Sequence, residues 1–217
     1  MNLKIKFSFI LLILIVISCK KSTENEHLNE TKNSRLSRIQ NYKAGVDSLN
    51  KSLNWTKTNF GLWRSKNGDL GLQTTEGTDE GIFINKYITE LTDGRSIKKV
   101  IDTTTFKYLG SSFYQDKNHI YTHFFMIDGG NFQIVKNADT NSFKILGDCY
   151  AKDKSRIFTE RNMNTDTIFD YRSFKTCDNC GCYAKDKNGF YFWDEKIDLN
   201  NIEYVETKDI IKKLKKL

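Results

Sequence analysis

The sequence predicts a mainly β protein made of degenerate antiparallel β-hairpin repeats, with an N-terminal helix and a short C-terminal helix. Three observations predict it. The stretch "CYAKDKSRIF", beginning at Cys149, returns as "CYAKDKNGFY" beginning at Cys182. Aromatic residues reach 13%, with 15 Phe and 10 Tyr, and such side chains favour pleated, half-buried strands. Proline is absent, so turns fall to Gly, Asn, Asp and Ser, which reach positive φ or close Asx turns with their own side chains. The 217 residues suffice for one domain or two small ones with a buried core. A charged share of 28% beside 38% apolar residues excludes wholesale disorder and a multi-span membrane protein.

The chain opens with Lys4 and Lys6, followed by an apolar run from Phe7 to Ile17. Eleven residues of helix rise only about 16 Å, against a hydrocarbon core of roughly 30 Å. Residues 1–18 therefore read as a signal peptide. Val16, Ile17, Ser18 and Cys19 resemble the bacterial lipobox. That resemblance implies cleavage before Cys19 and acylation of its thiol, and two or three acyl chains on one residue anchor a protein stably. A plain secretory signal with a chance cysteine, or an uncleaved anchor, is the alternative. Lys20 stands where Asp often marks inner-membrane retention, so outer-membrane sorting is expected. Removal of Lys4 and Lys6 leaves +5 of the +7 net charge. This excess suits solubility or an anionic surface; the lysines are spread through the chain, and nucleic acid is not an expected partner.

Residues 19–33 are polar and aperiodic, as a tether is. Over 34–54, Leu36, Ile39, Tyr42, Val46, Leu49 and Leu53 recur in steps of three and four, predicting a core-packing helix loosened near Gly45. From Trp55 to residue 206 the texture is that of a β-rich domain, with "GIFINKYITEL", "HIYTHFFMI" and "FQIVK" reading as strands. Self-similar units run over about 102–138, 139–169 and 170–197, with a partial unit at 198–206. Each is led by an Asp four positions before an apolar residue: Asp102 before Phe106, Asp139 before Phe143, Asp170 before Phe174 and Asp198 before Ile202. The spacings of 37, 31 and 28 residues suit supersecondary repeats. "LWRSKNGDLGL" is a fainter earlier copy. Within each unit the expectation is a strand, a tight turn at Asp116-Lys117-Asn118, Asp153-Lys154 or Asp186-Lys187-Asn188, and a return strand.

Asp116, Lys117, Asn118, Ile120 and Tyr121, then Asp153, Lys154 and Phe158, then Asp186, Lys187, Asn188, Phe190 and Tyr191 resemble the turn motif of the DKNYY family. The resemblance covers roughly residues 100–206. His119, Arg156 with Ile157, and Gly189 interrupt the five letters. What it implies is a bacterial secreted or lipid-anchored protein, in a family with no established activity.

Four cysteines lie beyond Cys19: Cys149, Cys177, Cys180 and Cys182. An even number in an exported chain favours disulfides. Cys149 and Cys182 hold the same place in successive repeats, so side-by-side packing brings them within disulfide reach; the expected pairs are Cys149 with Cys182 and Cys177 with Cys180. Three pairings exist, and a zinc site, a redox pair at Cys177-x-x-Cys180 and free thiols are the rival readings. His119 and His123, four apart on an expected strand, lie about 13 Å from each other, too far to share a metal. No Ser or Cys has an evident base, and the repeated carboxylates have turn-making work. No catalytic residue, metal or cofactor is therefore expected. The tail, 207–217, places Ile210, Ile211, Leu214 and Leu217 opposite Lys212, Lys213, Lys215 and Lys216, which suits an array-closing cap or a helix lying on lipid.

The functional expectation is a lipid-anchored cell-envelope protein, most naturally at the outer membrane, that acts as a non-catalytic binding or structural module. Its partners would be the membrane, through the lipid, and an envelope protein or polysaccharide. The alternatives are an envelope enzyme acting on cell-wall or carbohydrate material and an immunity or stress-response lipoprotein.

Overall fold

The computed structural model describes residues 31–161 and 168–217. The predicted signal peptide and most of the tether lie outside them. The described part of helix α1 spans 31–53. It therefore takes in the last three residues assigned above to the tether, and it runs without a break through Gly45. A single glycine costs a helix only about 1 kcal/mol relative to alanine, which side-chain anchoring along the helix offsets.

Four antiparallel meanders follow, each pairing strands in chain order. The first contains β1 (Thr56–Lys57), β2 (Trp63–Arg64), β3 (Leu70–Gly77) and β4 (Phe83–Ile88). A one-turn helix, α2 (Ile97–Val100), leads to the second: β5 (Lys107–Gly110), β6 (Phe113–Gln115), β7 (Ile120–Phe124) and β8 (Asn131–Ile134). The third has β9 (Lys144–Leu146), β10 (Tyr150–Lys152) and β11 (Ile157–Thr159). The fourth has β12 (Tyr183–Asp186), β13 (Gly189–Phe192) and β14 (Glu195–Lys196), after which helix α3 (Val205–Lys215) closes the chain. The protein is thus mainly β with a helix at each end.

Register makes the repeat exact in one respect. Lys107 pairs with Gln115, Lys144 with Lys152 and Lys175 with Lys185. In every copy the lysine after the shared Phe faces the residue before the turn Asp. In the third copy this first strand shrinks to the single Lys175–Lys185 bridge, because the Cys177–Cys180 loop occupies the rest. The partial fourth unit keeps only its Asp turn, in which Asp198 Oδ1 accepts the Asn200 N–H at 2.9 Å. Its "IEYV" forms no strand, and Val205 already belongs to α3, two residues earlier than expected. The faint early copy is a true hairpin, with buried Ser65 in place of the Asp and its Oγ accepting the Asp69 N–H.

Successive sheets share cores. Leu70, Leu72, Phe106, Tyr121 and Phe132 pack between the first two sheets; Phe113, Ile120, Ala151 and Phe158 between the second and third; Tyr150, Ile157 and Ala184 between the third and fourth. Strand side chains alternate faces, so Ile120 and Tyr121 enter different cores, as do Ile157 with Phe158 and Tyr150 with Ala151. Both faces of these strands are buried, which explains unbroken apolar pairs where a one-sided sheet would alternate with polar residues. On the outer side of the fourth sheet α3 seats Thr207, Ile211 and Leu214, and Thr207 Oγ1 lies 2.9 Å from the Tyr183 hydroxyl.

Candidate functional site

The repeated turn is a carboxylate clamp. Asp116, 1% exposed, accepts the Asn118 and His119 N–H groups on Oδ1, at 2.8 and 2.7 Å. Its Oδ2 accepts the Asp102 N–H and the Tyr121 hydroxyl, both at 2.8 Å. Asp153 accepts from Ser155 and Arg156, both at 2.8 Å, and from the Asp139 N–H at 3.1 Å. Asp186 accepts from Asn188, Asp170 and the Tyr191 hydroxyl at 2.7, 2.6 and 3.1 Å. One side chain therefore closes its own turn and pins the strand entry 14 to 16 residues earlier.

A second layer locks each clamp. Lys117, Lys154 and Lys187 donate their backbone N–H groups to Thr105, Ser142 and Ser173 at 2.9 to 3.0 Å. Their ammonium groups pair with Asp102, Asp139 and Asp170 at 2.6 to 2.8 Å. The lysine partner, seconded by the Ser173 hydroxyl, holds the Asp170 carboxyl down at about 2, and Asp102 and Asp139 are lowered by their lysines in the same way. Burial, then the adjacent Asp186, pushes the Tyr191 phenol up to about 12. Thr105, Ser142 and Ser173 escaped the sequence reading, although a hydroxyl stands directly before the shared Phe in all three copies.

The four body cysteines are joined as Cys149–Cys182, across successive repeats, and Cys177–Cys180. Glu160, unremarked in the sequence, sits where three sheets meet. It accepts from the Ser112 hydroxyl at 2.6 Å and from Trp193 Nε1 at 3.4 Å. Its Oε1 lies 3.6 Å from Cys182 Sγ; a disulfide sulfur carries no proton, so this is a contact and not a hydrogen bond. Cys149, Glu160 and Cys182 have their donor atoms within 4.8 Å of one another, but with the bridge closed they offer a metal no thiolate. The zinc reading, with four sulfurs on one ion, fails because the sulfurs are paired two by two. His119 stands in the first clamp, 3.4 Å from the Tyr121 hydroxyl. His123 reaches the Gly129 carbonyl at 3.1 Å, and burial lowers its pKa. Cys19 and His27 lie outside the described residues.

Where strand was expected through Ile127, β7 stops at Phe124, and Phe125, Met126 and Ile127 form an exposed loop. Asp128, Gly129 and Gly130 turn this loop back. A Cβ on Gly130 would lie 2.1 Å from the Phe124 carbonyl, so only glycine fits. Beside it, a groove of about 440 Å³ runs between α1 and β3, lined by Arg35, Arg38, Tyr42 and Glu76 among others. Among the described residues no helix is long and apolar enough to cross a membrane. No family model, no curated protein and no solved structure matches the chain.

Proposed function

We propose that this chain is a lipid-anchored bacterial cell-envelope protein, held at the outer membrane through Cys19, whose body is a non-catalytic binding or structural module akin to DKNYY-repeat proteins. The observation that carries the reading is the fate of the cysteines. The four in the body close into two disulfides, a state suited to an oxidising compartment, while the fifth follows the lipobox-like Val16-Ile17-Ser18. The repeated charged residues support a constructional role for the motif, because each turn carboxylate spends its oxygens on donors of its own unit. The body then serves as a stack of short sheets presenting its surface to an envelope protein or polysaccharide.

The mass of the N-terminal peptide from native protein tests the anchor: the expected species begins at an acylated Cys19, and a chain keeping Met1 or a free Cys19 thiol overturns it. Crosslinking in intact envelopes, read by mass spectrometry, tests the contact role by naming neighbours. Recovery of the mature protein from the cytosol refutes the whole reading.

A further inference from the structure

The departure point of the tether coincides with the apolar loop. Contacts of α1 march along the β3–β4 hairpin: Asn50 donates to the Asn85 carbonyl at 2.9 Å, Tyr42 to Glu76 at 3.1 Å, and Arg35 pairs with Asp79 and Glu80 in the hairpin turn. The chain therefore leaves the described body, at residue 31, beside that turn. At the same place Gly77 donates its N–H to the Ile127 carbonyl at 2.6 Å. The space a Cβ on Gly77 would take is bounded by Ile127 at 3.2 Å and the Phe83 ring at 3.5 Å. Phe83, Ile127, Phe125 and Met126 are 69%, 65%, 59% and 44% exposed. Large apolar groups clustered on a surface mark a contact and are not needed for folding.

Three features make a lipid surface the fitting occupant. The first is reach: from Cys19 to residue 31 the chain extends at most about 40 Å and averages about 20 Å if flexible, so the tip stays close to the anchoring leaflet and its effective concentration there is high. The second is rigidity. Asp128 caps the Gly130 N–H at 2.9 Å, and the Gly129 carbonyl accepts from Thr74 and lies against His123. The loop is thus held out from the body before any contact is made. The third is charge. Arg35 faces Asp79 and Glu80, Lys86 pairs with Glu76, the Asp128 carboxylate turns into its own loop, and Lys32 and Arg38 are exposed on the same end of α1, so cations balance the carboxylates around the tip. A charge-balanced rim around aromatic and aliphatic side chains lets them enter a headgroup region without net repulsion.

We propose that Phe83, Phe125, Met126 and Ile127 insert into the interfacial region of the phospholipid leaflet that holds the lipid on Cys19, docking the body in one orientation. This inference rests on the anchored reading above. It is tested on full-length acylated protein carrying Met126→Cys or, as a control at the α3 end, Leu199→Cys. With Cys19 acylated and the other four cysteines in disulfides, the introduced thiol alone takes a spin label. In phosphatidylethanolamine–phosphatidylglycerol vesicles, the ratio of oxygen to nickel-chelate accessibility is expected to be several-fold higher at position 126 than at 199. Equal ratios on acylated, vesicle-bound protein overturn this inference and leave the anchor standing. Spin–spin broadening between labels at 126 overturns it in favour of a second copy. Protein that carries no acyl mass and stays out of the vesicle fraction overturns both.

Discussion

Asp116→Asn and Asp116→Ala measure the clamp directly. Asp116 is buried and accepts from four donors, two on each oxygen. A carboxylate is acceptor-only, whereas an amide turns an NH₂ towards one pair. In the Asn variant the amide oxygen keeps the Asn118 and His119 N–H groups, and the Tyr121 hydroxyl can rotate to accept from the NH₂. Only the Asp102 N–H is orphaned, at a cost of about 1–3 kcal/mol. In the Ala variant three backbone N–H groups lose their acceptor and the Tyr121 hydroxyl keeps only the His119 ring nitrogen at 3.4 Å, and allowing for relaxation and water entry the cost rises to about 3–5 kcal/mol. Against a typical stability of about 5–15 kcal/mol both shifts are measurable. The assay is equilibrium urea unfolding of the full chain with disulfides intact, checked by circular dichroism and tryptophan fluorescence. Lys117→Met, which removes only an exposed ion pair, should move the midpoint less than either. An Ala variant within about 1 kcal/mol of the parent, or an Asn variant as damaging as Ala, refutes the donor accounting.

Removing Cys149–Cys182 by a double alanine substitution should cost about 4 kcal/mol and removing Cys177–Cys180 about 2 kcal/mol, from loop-closure entropy at sequence separations of 33 and 3; the same unfolding assay checks the order. The lowered carboxyls of Asp102, Asp139 and Asp170 stabilise the folded chain above their ordinary pKa of 3.8, and that stability drains away as pH falls, for Asp170 down to about 2. Urea midpoints between pH 5 and 2 should fall more for the parent than for the triple Asp→Asn variant, by a modest amount because the lysine partners are mostly exposed. On the alkaline side, Tyr191, raised to about 12, favours the folded state fully below pH 10 and progressively less above it, which a 295 nm titration of the unfolding transition would follow. Deleting 205–217 exposes the seats of Ile211 and Leu214, each worth up to about 1.5–3 kcal/mol; a lowered melting temperature is expected, and unchanged melting with weaker vesicle binding would move α3 from cap to lipid helix.

The repeat was legible because its turn chemistry is local: Asp116, Asp153 and Asp186 act within five residues of themselves, and so leave a motif. The clamp's reach to Asp102, Asp139 and Asp170 was half legible, as a fixed offset of Asp from Phe whose purpose the letters do not state. What escaped depends on distant partners. The adjacent apolar pairs "IY" and "IF" are the mark of a strand buried on both faces, but a pair of letters does not say which distant residues fill the two cores. Phe125, Met126 and Ile127 continue an apolar run and read as strand, but β7 ends where the Phe124–Asn131 pair closes the hairpin. Asp128-Gly129-Gly130 was the signal that the turn had begun. Glu160 carries no motif, since its partners Ser112, Cys182 and Trp193 come from other units.

The clamp also explains why the motif's letters drift while its chemistry holds. In the first copy the fourth donor to the buried carboxylate is the Tyr121 hydroxyl. The second copy has Phe158 at that place and loses the donor, but the residue two after its Asp is Ser155, not Asn, and that hydroxyl donates to Asp153 at 3.1 Å. The two changes offset each other: Asp116 and Asp153 each accept four hydrogen bonds from different residue sets. A buried carboxylate left short of donors is costly, and in these two copies different residues supply the same number of them, whereas Asp186 accepts from Asp170, Asn188 and Tyr191. Phe158 and Ser155 should therefore be coupled. Ser155→Ala should cost clearly more stability in the parent than in a chain that also carries Phe158→Tyr, because the restored phenol replaces the lost hydroxyl; equal losses in the two backgrounds would mean that the donors act independently.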